Sequence, residues 1–495
     1  MCGIVGIYNV PEASKITALG IHGLQHRGQE GAGIISYDKE FHSQNAYGLV
    51  DHIFSKDKII KNLPGNMALG HVRYSTSGSS GAATIFYNLD FGGFALAHNG
   101  DFTDAEYWRN KLKKEGAIFQ TNTDTEIIPH LLARTEGTDP VNRLLKVLNK
   151  VDGAFCIVAL MDNKLIVARD SNGFRPLVIG RYKEGYVVAS ESCSLDLIGA
   201  TEIKDVEPGE VMVFSNETTL ESWAMDVNFK WSRLDREKDS ISSHRERISQ
   251  VKKETYHLDK KVKKHFCVFE HIYFSRPDSV IDNQLVYEVR KRIGEELAKE
   301  TYIDSDMVVP VPDSGMVAAL GYANQSKIPF ELGLTRNHYV GRTFIEPTQQ
   351  IRNLGVKLKH SAMRLFKNKV ITIIDDSIVR GTTAKKIINL IRHAGAKEIH
   401  MRISSPSITH PCWYGIDTPN RQELIAGTSN ENEIKDFIGA DSLEYLSIEG
   451  LNKAVEGNGF CNACFTGIYP VDKRLKEPTT RLEQMAQLKY EPICD

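Results

Sequence analysis

Hydrophobic and polar positions alternate in short runs through the first half of the chain. The segments GIVGIYNV, NMALGHVRYS, FALAHNG, AFCIVALM, KLIVARD, LVIGRY, GYVVASE and VMVFS are apolar stretches bounded by glycine or polar turn residues, which predicts strands. Between them, ITALGIHGLQHR, DAEYWRNKLKKEG and DTEIIPHLLARTEG repeat apolar residues at helical spacing. Many strands with a few helices, not in strict alternation, predict an α+β domain of layers. Over 232–265 the texture changes to WSRLDREKDSISSHRERISQVKKETYHLDKKVKKH, densely charged and without a long apolar run. That pattern predicts a linker carrying exposed helical pieces. Beyond it, apolar strands alternate with helices: DMVVPVPDSG then MVAALGYANQS, KVITIIDDS then TAKKIINLIRHAG, then KEIHMRISSP. Such repetition predicts an α/β domain with a parallel sheet and flanking helices. The expected division is a first domain over 2–231, a charged connection over 232–265, a second domain over 266–475 and a tail over 476–495.

Composition narrows the function classes. The 495 residues suit two or three domains, and 61 Lys and Arg against 63 Asp and Glu leave a formal charge of −2. A balance so close to neutral gives no global basic field, so no nucleic-acid partner is expected. No run of about eighteen apolar residues occurs, so no membrane span is expected. The start, MCGIVGIYNVPEAS, lacks a basic region and a long apolar stretch, and eight cysteines are too few for a disulfide scaffold. A cytoplasmic protein is expected.

Cys2 follows Met1 and precedes Gly3. Removal of Met1 would put a thiol and a free α-amine, of ordinary pKa about 8, on one residue. The amine can then act as base for its own nucleophile; alternatively Cys2 is a small apolar residue opening a buried strand. HVRYSTSG supplies Arg73, a fork suited to a carboxylate, with Thr76 and Ser77 as hydroxyl partners. AHNGD supplies Asn99 and Gly100, a side-chain amide and a backbone N–H able to form an oxyanion hole. TNTDTE supplies Asp124, an acceptor for an α-ammonium. Together these groups suit an α-amino acid whose side-chain carbonyl is attacked.

MCGIVGIY, LQHRGQEGAG, HVRYST, HNGD and TDTE resemble the class II glutamine amidotransferases, a branch of the N-terminal nucleophile hydrolases. The resemblance runs to about residue 225 and implies a four-layer αββα fold, two antiparallel sheets between helices. It implies glutamine hydrolysis with Cys2 as nucleophile, Arg73, Thr76 and Asp124 on the substrate, and Asn99 with Gly100 as oxyanion donors.

In the second half, KVITIIDDSIVRGTT ends an apolar strand in Asp375 and Asp376, followed by Arg380, Gly381, Thr382 and Thr383 at a helix start. N–H groups there can wrap a phosphate, and the carboxylates can hold ribose hydroxyls directly or through a divalent cation. A plain helix cap uses similar residues. The stretch resembles the phosphoribosylpyrophosphate (PRPP) loop of type I phosphoribosyltransferases. VVPVPDSG, with Asp313 and Ser314, fits a pyrophosphate-binding turn. VGRTFIEPTQQIRNLGVKLKH, with Arg342, Arg352, Lys357 and Lys359, fits the loop that closes over PRPP in that family. The resemblance implies one Mg²⁺ per subunit, on Ser314, Asp375 and Asp376.

The two halves joined resemble the amidophosphoribosyltransferase family, with HIYFSRPDS and CNACFTGIYP as further matches. That implies transfer of ammonia from glutamine to C1 of PRPP, giving phosphoribosylamine, pyrophosphate and glutamate at the start of purine synthesis. It also implies purine nucleotides as feedback inhibitors and a homotetramer or homodimer. Cys461 and Cys464 form a CxxC pair with Cys267 and Cys412 far upstream; by spacing alone the pair suits a redox couple, half a zinc site or coincidence, and four thiolates suit either zinc or an iron–sulfur cluster. The contexts KHFCVFEHIYFSRPDS, HPCWYGIDTP and GFCNACF resemble the iron–sulfur-containing branch. They imply one structural [4Fe–4S] cluster per subunit on those four cysteines. Cys156 reads as core, and Cys193 and Cys494 have no assigned role. Cluster-bearing members often carry a propeptide before the nucleophilic cysteine; here only Met1 precedes Cys2, so either removal of Met1 suffices or propeptide and cluster do not go together. The competing readings are a different class II amidotransferase, with a sugar-isomerase or ATP-pyrophosphatase acceptor domain, and a non-catalytic PRPP-sensing regulator.

Overall fold

The computed structural model describes residues 2–55, 57–74, 83–217, 250–337, 360–418 and 420–473. Thr76, Ser77, Arg342, Arg352, Lys357, Lys359, Cys494, most of the charged connection and the tail over 476–495 lie outside the described residues.

In the first domain, short apolar strands buried on both faces, among them Gly3–Tyr8, Met67–Arg73 and Gly153–Met161, form the centre of two antiparallel sheets. The seven-stranded sheet runs Thr201–Asp205, Val178–Tyr182, Gly185–Ala189, Gly3–Tyr8, Met67–Arg73, Gly31–Asp38 and Glu40–Tyr47 in spatial order. The six-stranded sheet runs Gln250–His257, Glu210–Glu217, Lys164–Arg169, Gly153–Met161, Gly92–Phe102 and Ile85–Leu89. Ile4, Tyr8 and Leu69 from one sheet pack on Ala97, Val158 and Val167 from the other, which makes the inter-sheet core. Outside the first sheet, Ile21 of helix Ala13–Gly23 and Leu195 of helix Ser192–Ile198 cover Val5 and Val187. Outside the second, helices Ile127–Arg134 and Pro140–Lys150 cover Ile157 and Ile166. The four layers are those expected. The strand Gly3–Tyr8 is buried along its whole length between these layers, which seats Cys2 at the edge of the core.

One expectation is corrected. Residues 250–257, read above as linker with helical pieces, form the strand Gln250–His257, in full register with Glu210–Glu217. Val251 packs toward the inter-sheet core and Tyr256 toward the outer one, as period-2 alternation requires. Its lysines keep this edge strand charged, a known guard against edge-to-edge pairing. The first domain therefore includes this strand.

The second domain is built on a four-stranded parallel sheet, Met307–Pro310, Val370–Asp375, Glu398–Ile403 and Ser442–Tyr445. Val308 and Ile374 face helices Val286–Thr301 and Met316–Ser326, while Val309, Ile371 and Ile373 face Thr382–His393 and Glu431–Ile438. Both faces are covered, as an all-parallel sheet demands. A short parallel pairing of Phe266–Cys267 with Phe460–Cys461 fastens the C-terminal segment to the start of the domain. No helix among the described residues is long and apolar enough to cross a membrane.

Candidate active site

The first pocket forms where the two sheets open beside Cys2. Strand Met67–Arg73 pairs with Gly3–Tyr8, with Gly3 opposite Val72 and Ile4 opposite His71. Strand Gly92–Phe102 of the other sheet delivers Asn99 and Gly100. The pocket is lined by Cys2, His71, Arg73, Asn99, Gly100 and Asp124, so the structure brings together all the described residues expected there.

Asn99 carries the chemistry most directly. Its Oδ1 accepts the backbone N–H of Cys2 at 3.4 Å, which turns Nδ2 the other way. That Nδ2 is buried and has no hydrogen-bond partner among the described residues. A buried donor left unpaired in a pocket is costly and therefore informative. Gly100 has φ +151°, and a Cβ there would run into the Ala154 carbonyl, so only glycine fits. Asp124 is held by the N–H groups of Phe102 at 3.1 Å and Thr125 at 2.8 Å. Burial pushes the neighbouring Asp101 carboxyl well up, and the charge of Asp124 adds to it.

Burial alone would raise the Cys2 thiol, but His71 beside it and the Tyr74 backbone bring it down to about 6. His71 is the residue the sequence reading missed. Its Nδ1 bonds to the Ala83 carbonyl, and its buried Nε2 has no conventional hydrogen-bond partner among the described residues. The available signal was its spacing: two residues before Arg73 on a strand, it shares that residue's face.

Behind the pocket lies a fully buried ionic network that joins the domains. Arg27, from LQHRGQE, donates through Nε to the Cys2 carbonyl at 3.0 Å and through Nη2 to Glu270 at 2.8 Å. It also pairs with Glu191. Glu191 further accepts from Ser279 at 2.7 Å and from the Arg276 N–H at 2.9 Å, both in HIYFSRPDS. Burial opposes ionisation of Glu191, yet His26 and Arg27 hold it well below the usual carboxylate range. Arg175 reaches Glu270 at 3.3 Å and the Tyr414 carbonyl at 2.8 Å.

The second site sits at the carboxyl ends of adjacent parallel strands, where α/β sheets bind ligands. Asp375 ends Val370–Asp375, and the Val311 N–H bonds to the Ile374 carbonyl at 2.8 Å. That bond places the turn that follows, with Asp313 and Ser314, at the same end of the sheet as the acidic pair. Burial, reinforced by Asp376, raises the Asp375 carboxyl well above its ordinary range. A divalent cation would relieve such an acid pair, and Ser314 adds a hydroxyl, so these residues fit Mg²⁺. Gly381, with φ +71°, caps helix Thr382–His393, where Thr382 and Thr383 stand exposed. Asp313 pairs with Arg336, and Arg380 pairs with Glu423 at 2.9 Å. Both pairs are exposed, so a ligand can compete for them.

The four cysteines of the third set converge from three segments. Cys267 and Cys461 are register partners, and Thr409 and His410 donate to the Cys464 carbonyl at 3.0 and 3.1 Å. Cys412 Sγ accepts the Tyr414 N–H at 3.3 Å and faces Arg175 at 3.9 Å. Burial pushes Cys267 up to about 11, and Cys464 is raised well above its ordinary value by burial and by the other three thiols. Among the described residues, no three His, Cys, Asp or Glu side chains are drawn into a closed ligand set. All four cysteines are free, Cys267 and Cys461 buried and Cys412 and Cys464 half-buried, and with the N–H···S donors on Cys412 they fit a thiolate-ligated metal or cluster. Cys156 is core, as expected.

Comparison with known proteins follows the same division. A family model described as a glutamine amidotransferase domain matches residues 71–196, and one described as a phosphoribosyl transferase domain matches residues 280–404. The chain is 45% identical over 489 residues to the chloroplastic amidophosphoribosyltransferase of Vigna aconitifolia, covering 97% of this chain and 93% of the relative. It is 42% identical over 484 residues to the amidophosphoribosyltransferase of Bacillus subtilis, covering 95% and 94%. Among solved structures, the glutamine PRPP amidotransferase from B. subtilis complexed with ADP and GMP aligns with a TM-score of 0.83 at 40% identity, over 97% of this chain and 99% of that one. Identity of this order along nearly the whole length shows that the chain belongs to the amidophosphoribosyltransferase family.

Proposed function

We propose that Cys2 is the nucleophile of a glutaminase whose ammonia reacts with PRPP in the second domain. Membership of the family makes the chain a glutamine amidotransferase and phosphoribosyltransferase of purine biosynthesis. The observation that carries the residue assignment is the unpaired, buried Asn99 amide facing the pocket of a thiol whose pKa is brought down to about 6. Arg73 and Asp124 take the carboxylate and ammonium of glutamine. The thiolate attacks the side-chain carbonyl, and the oxyanion is met by Asn99 Nδ2 and the Gly100 N–H. The C–N bond breaks as the α-ammonium of Cys2 passes a proton to the departing nitrogen, ammonia leaves, and water cleaves the thioester to the glutamate carboxylate, its two protons returning to the amine and the thiol.

Ammonia then attacks C1 of PRPP as the C1–O bond to pyrophosphate breaks. The N–H groups at Gly381–Thr383 hold the 5-phosphate, Asp375 and Asp376 hold the ribose, and Ser314 faces the pyrophosphate. Mg²⁺, when bound at Ser314, Asp375 and Asp376, neutralises pyrophosphate charge. Arg342 and Lys357 are assigned to closure over PRPP by motif. Cys267, Cys412, Cys461 and Cys464 hold a structural [4Fe–4S] cluster in this reading, supported by their convergence and by the match of their contexts to that branch. Purine nucleotides are proposed as regulators, since the B. subtilis structure is a complex with ADP and GMP. A homotetramer or homodimer is proposed from the family resemblance. The cytoplasm is proposed from a cysteine content too low for a disulfide scaffold, although several relatives are chloroplastic.

Cys2→Ala tests the division of labour. Glutamine-dependent turnover is lost while free ammonia still supports pyrophosphate release; loss of both with the fold intact would overturn it. Iron and sulfide analysis with a visible spectrum tests the cluster, and zinc without iron would rule it out.

A further inference from the structure

We propose that loop 412–415 of the second domain completes the oxyanion site of the first, with Gly415 a positioning residue that fixes Gly100. The proposal rests on the assignment of Gly100 as an oxyanion donor.

Gly415 has φ +99° and lines the same pocket as Cys2. A Cβ on it would lie 2.8 Å from the Gly100 carbonyl carbon and 3.0 Å from its Cα and oxygen. The two glycines therefore meet backbone to backbone. On the other side, the Ala154 carbonyl occupies the space a Cβ of Gly100 would need. Gly100 is thus held between the strand next to it in its own sheet and a loop from the other domain.

That loop is rigidly anchored. The Tyr414 ring is stacked on Phe174 at 4.0 Å and 14°, and Phe174 packs with Ala154 in one small core. The Tyr414 hydroxyl donates to the Val471 carbonyl at 2.7 Å and accepts the Val471 N–H at 2.9 Å. Arg175 donates to the Tyr414 carbonyl through Nε at 2.8 Å and Nη2 at 2.5 Å. The same guanidinium reaches Glu270, which holds Arg27, which holds the Cys2 carbonyl. Nucleophile and oxyanion donor are therefore both registered against one loop, and that loop carries Cys412. An oxyanion donor acts only when it is fixed where charge develops, so a small shift of Gly100 lowers the rate of attack without weakening substrate binding at Arg73 and Asp124.

The test uses the full-length protein, Gly415→Ala, and Phe174→Leu, which removes the ring beneath Tyr414 without adding atoms. Cys2 is labelled with the diazoketone analogue of glutamine, whose carbonyl must enter the oxyanion site, and with iodoacetamide, which needs only the thiol. Glutamine hydrolysis is measured in parallel. In Gly415→Ala, diazoketone labelling and kcat are expected to fall about 100-fold, with the iodoacetamide rate and the KM for glutamine unchanged. Phe174→Leu shifts the same two quantities in the same direction, and decides the matter if the alanine variant does not fold. Unchanged diazoketone labelling in the folded variants, or an equal loss with both reagents, overturns the proposal. Failure of the diazoketone to label Cys2 in the unaltered protein removes the glutaminase assignment itself, and the proposal with it.

Discussion

At the scale of single residues, the thiol of Cys2 is set by His71 on the strand paired with Gly3–Tyr8. Its pKa, brought down to about 6, makes it a thiolate at neutral pH. Alkylation of Cys2 by iodoacetamide should therefore rise with a midpoint near pH 6 and fall away below it. His71→Asn should move that midpoint upward toward about 8.5, the ordinary cysteine value; a midpoint left in place would show that His71 is not the cause. If Asp124 takes the ammonium of glutamine as proposed, Asp124→Asn should raise the KM for glutamine about tenfold and spare kcat, because that charge would act in ground and transition states alike. Cys2, Arg73, Asn99, Gly100 and Asp124 were legible in the sequence because each sits in a short motif with a chemical reason for its residue type. The role of His71 was not legible, since it depends on which strand pairs with Gly3–Tyr8 and in what register.

At the scale of elements, local signals and tertiary pairing divide the work. Helix Pro140–Lys150 declares itself: Asp139 accepts from the N–H groups of Val141 and Asn142, proline follows at the first position, and Val141, Leu144, Val147 and Leu148 share the buried face. Asp139→Ala should cost about 1 kcal/mol and lower the melting temperature while glutamine hydrolysis is unchanged; an unaltered melting temperature would mean the cap contributes nothing. The strand Gln250–His257 shows the opposite case. Its buried contacts are spread one or two to a face, so no apolar run marks it, and its backbone partners on Glu210–Glu217 are what make it a strand. The second domain was easier to read, because strands covered on both faces are continuously apolar and end in the polar turns that bind ligand.

At the scale of the whole molecule, the domains are joined by charge as well as by apolar contact. Arg27 and Arg175 face Glu191 and Glu270, all fully buried, and the network touches the Cys2 carbonyl at one end and Cys412 at the other. Glu270→Ala would leave two buried guanidinium groups short of a partner, at a cost of about 3–5 kcal/mol. The expected result is a clear loss of stability to denaturant together with impaired use of glutamine. None of this network was legible as a network, because its four members lie in separate stretches of the chain and meet only in the folded structure. The cysteines differ: the resemblance of their contexts already grouped Cys267 and Cys412 with the CxxC pair, which spacing alone did not, and the fold brings the four together. The central claim is that one chain makes ammonia from glutamine and uses it on PRPP. Its most direct test is to supply the protein with glutamine, PRPP and Mg²⁺ under anaerobic conditions and measure glutamate and pyrophosphate together. Equal release of the two, dependent on both substrates, is the predicted result; glutamate without pyrophosphate, or neither, would contradict the account.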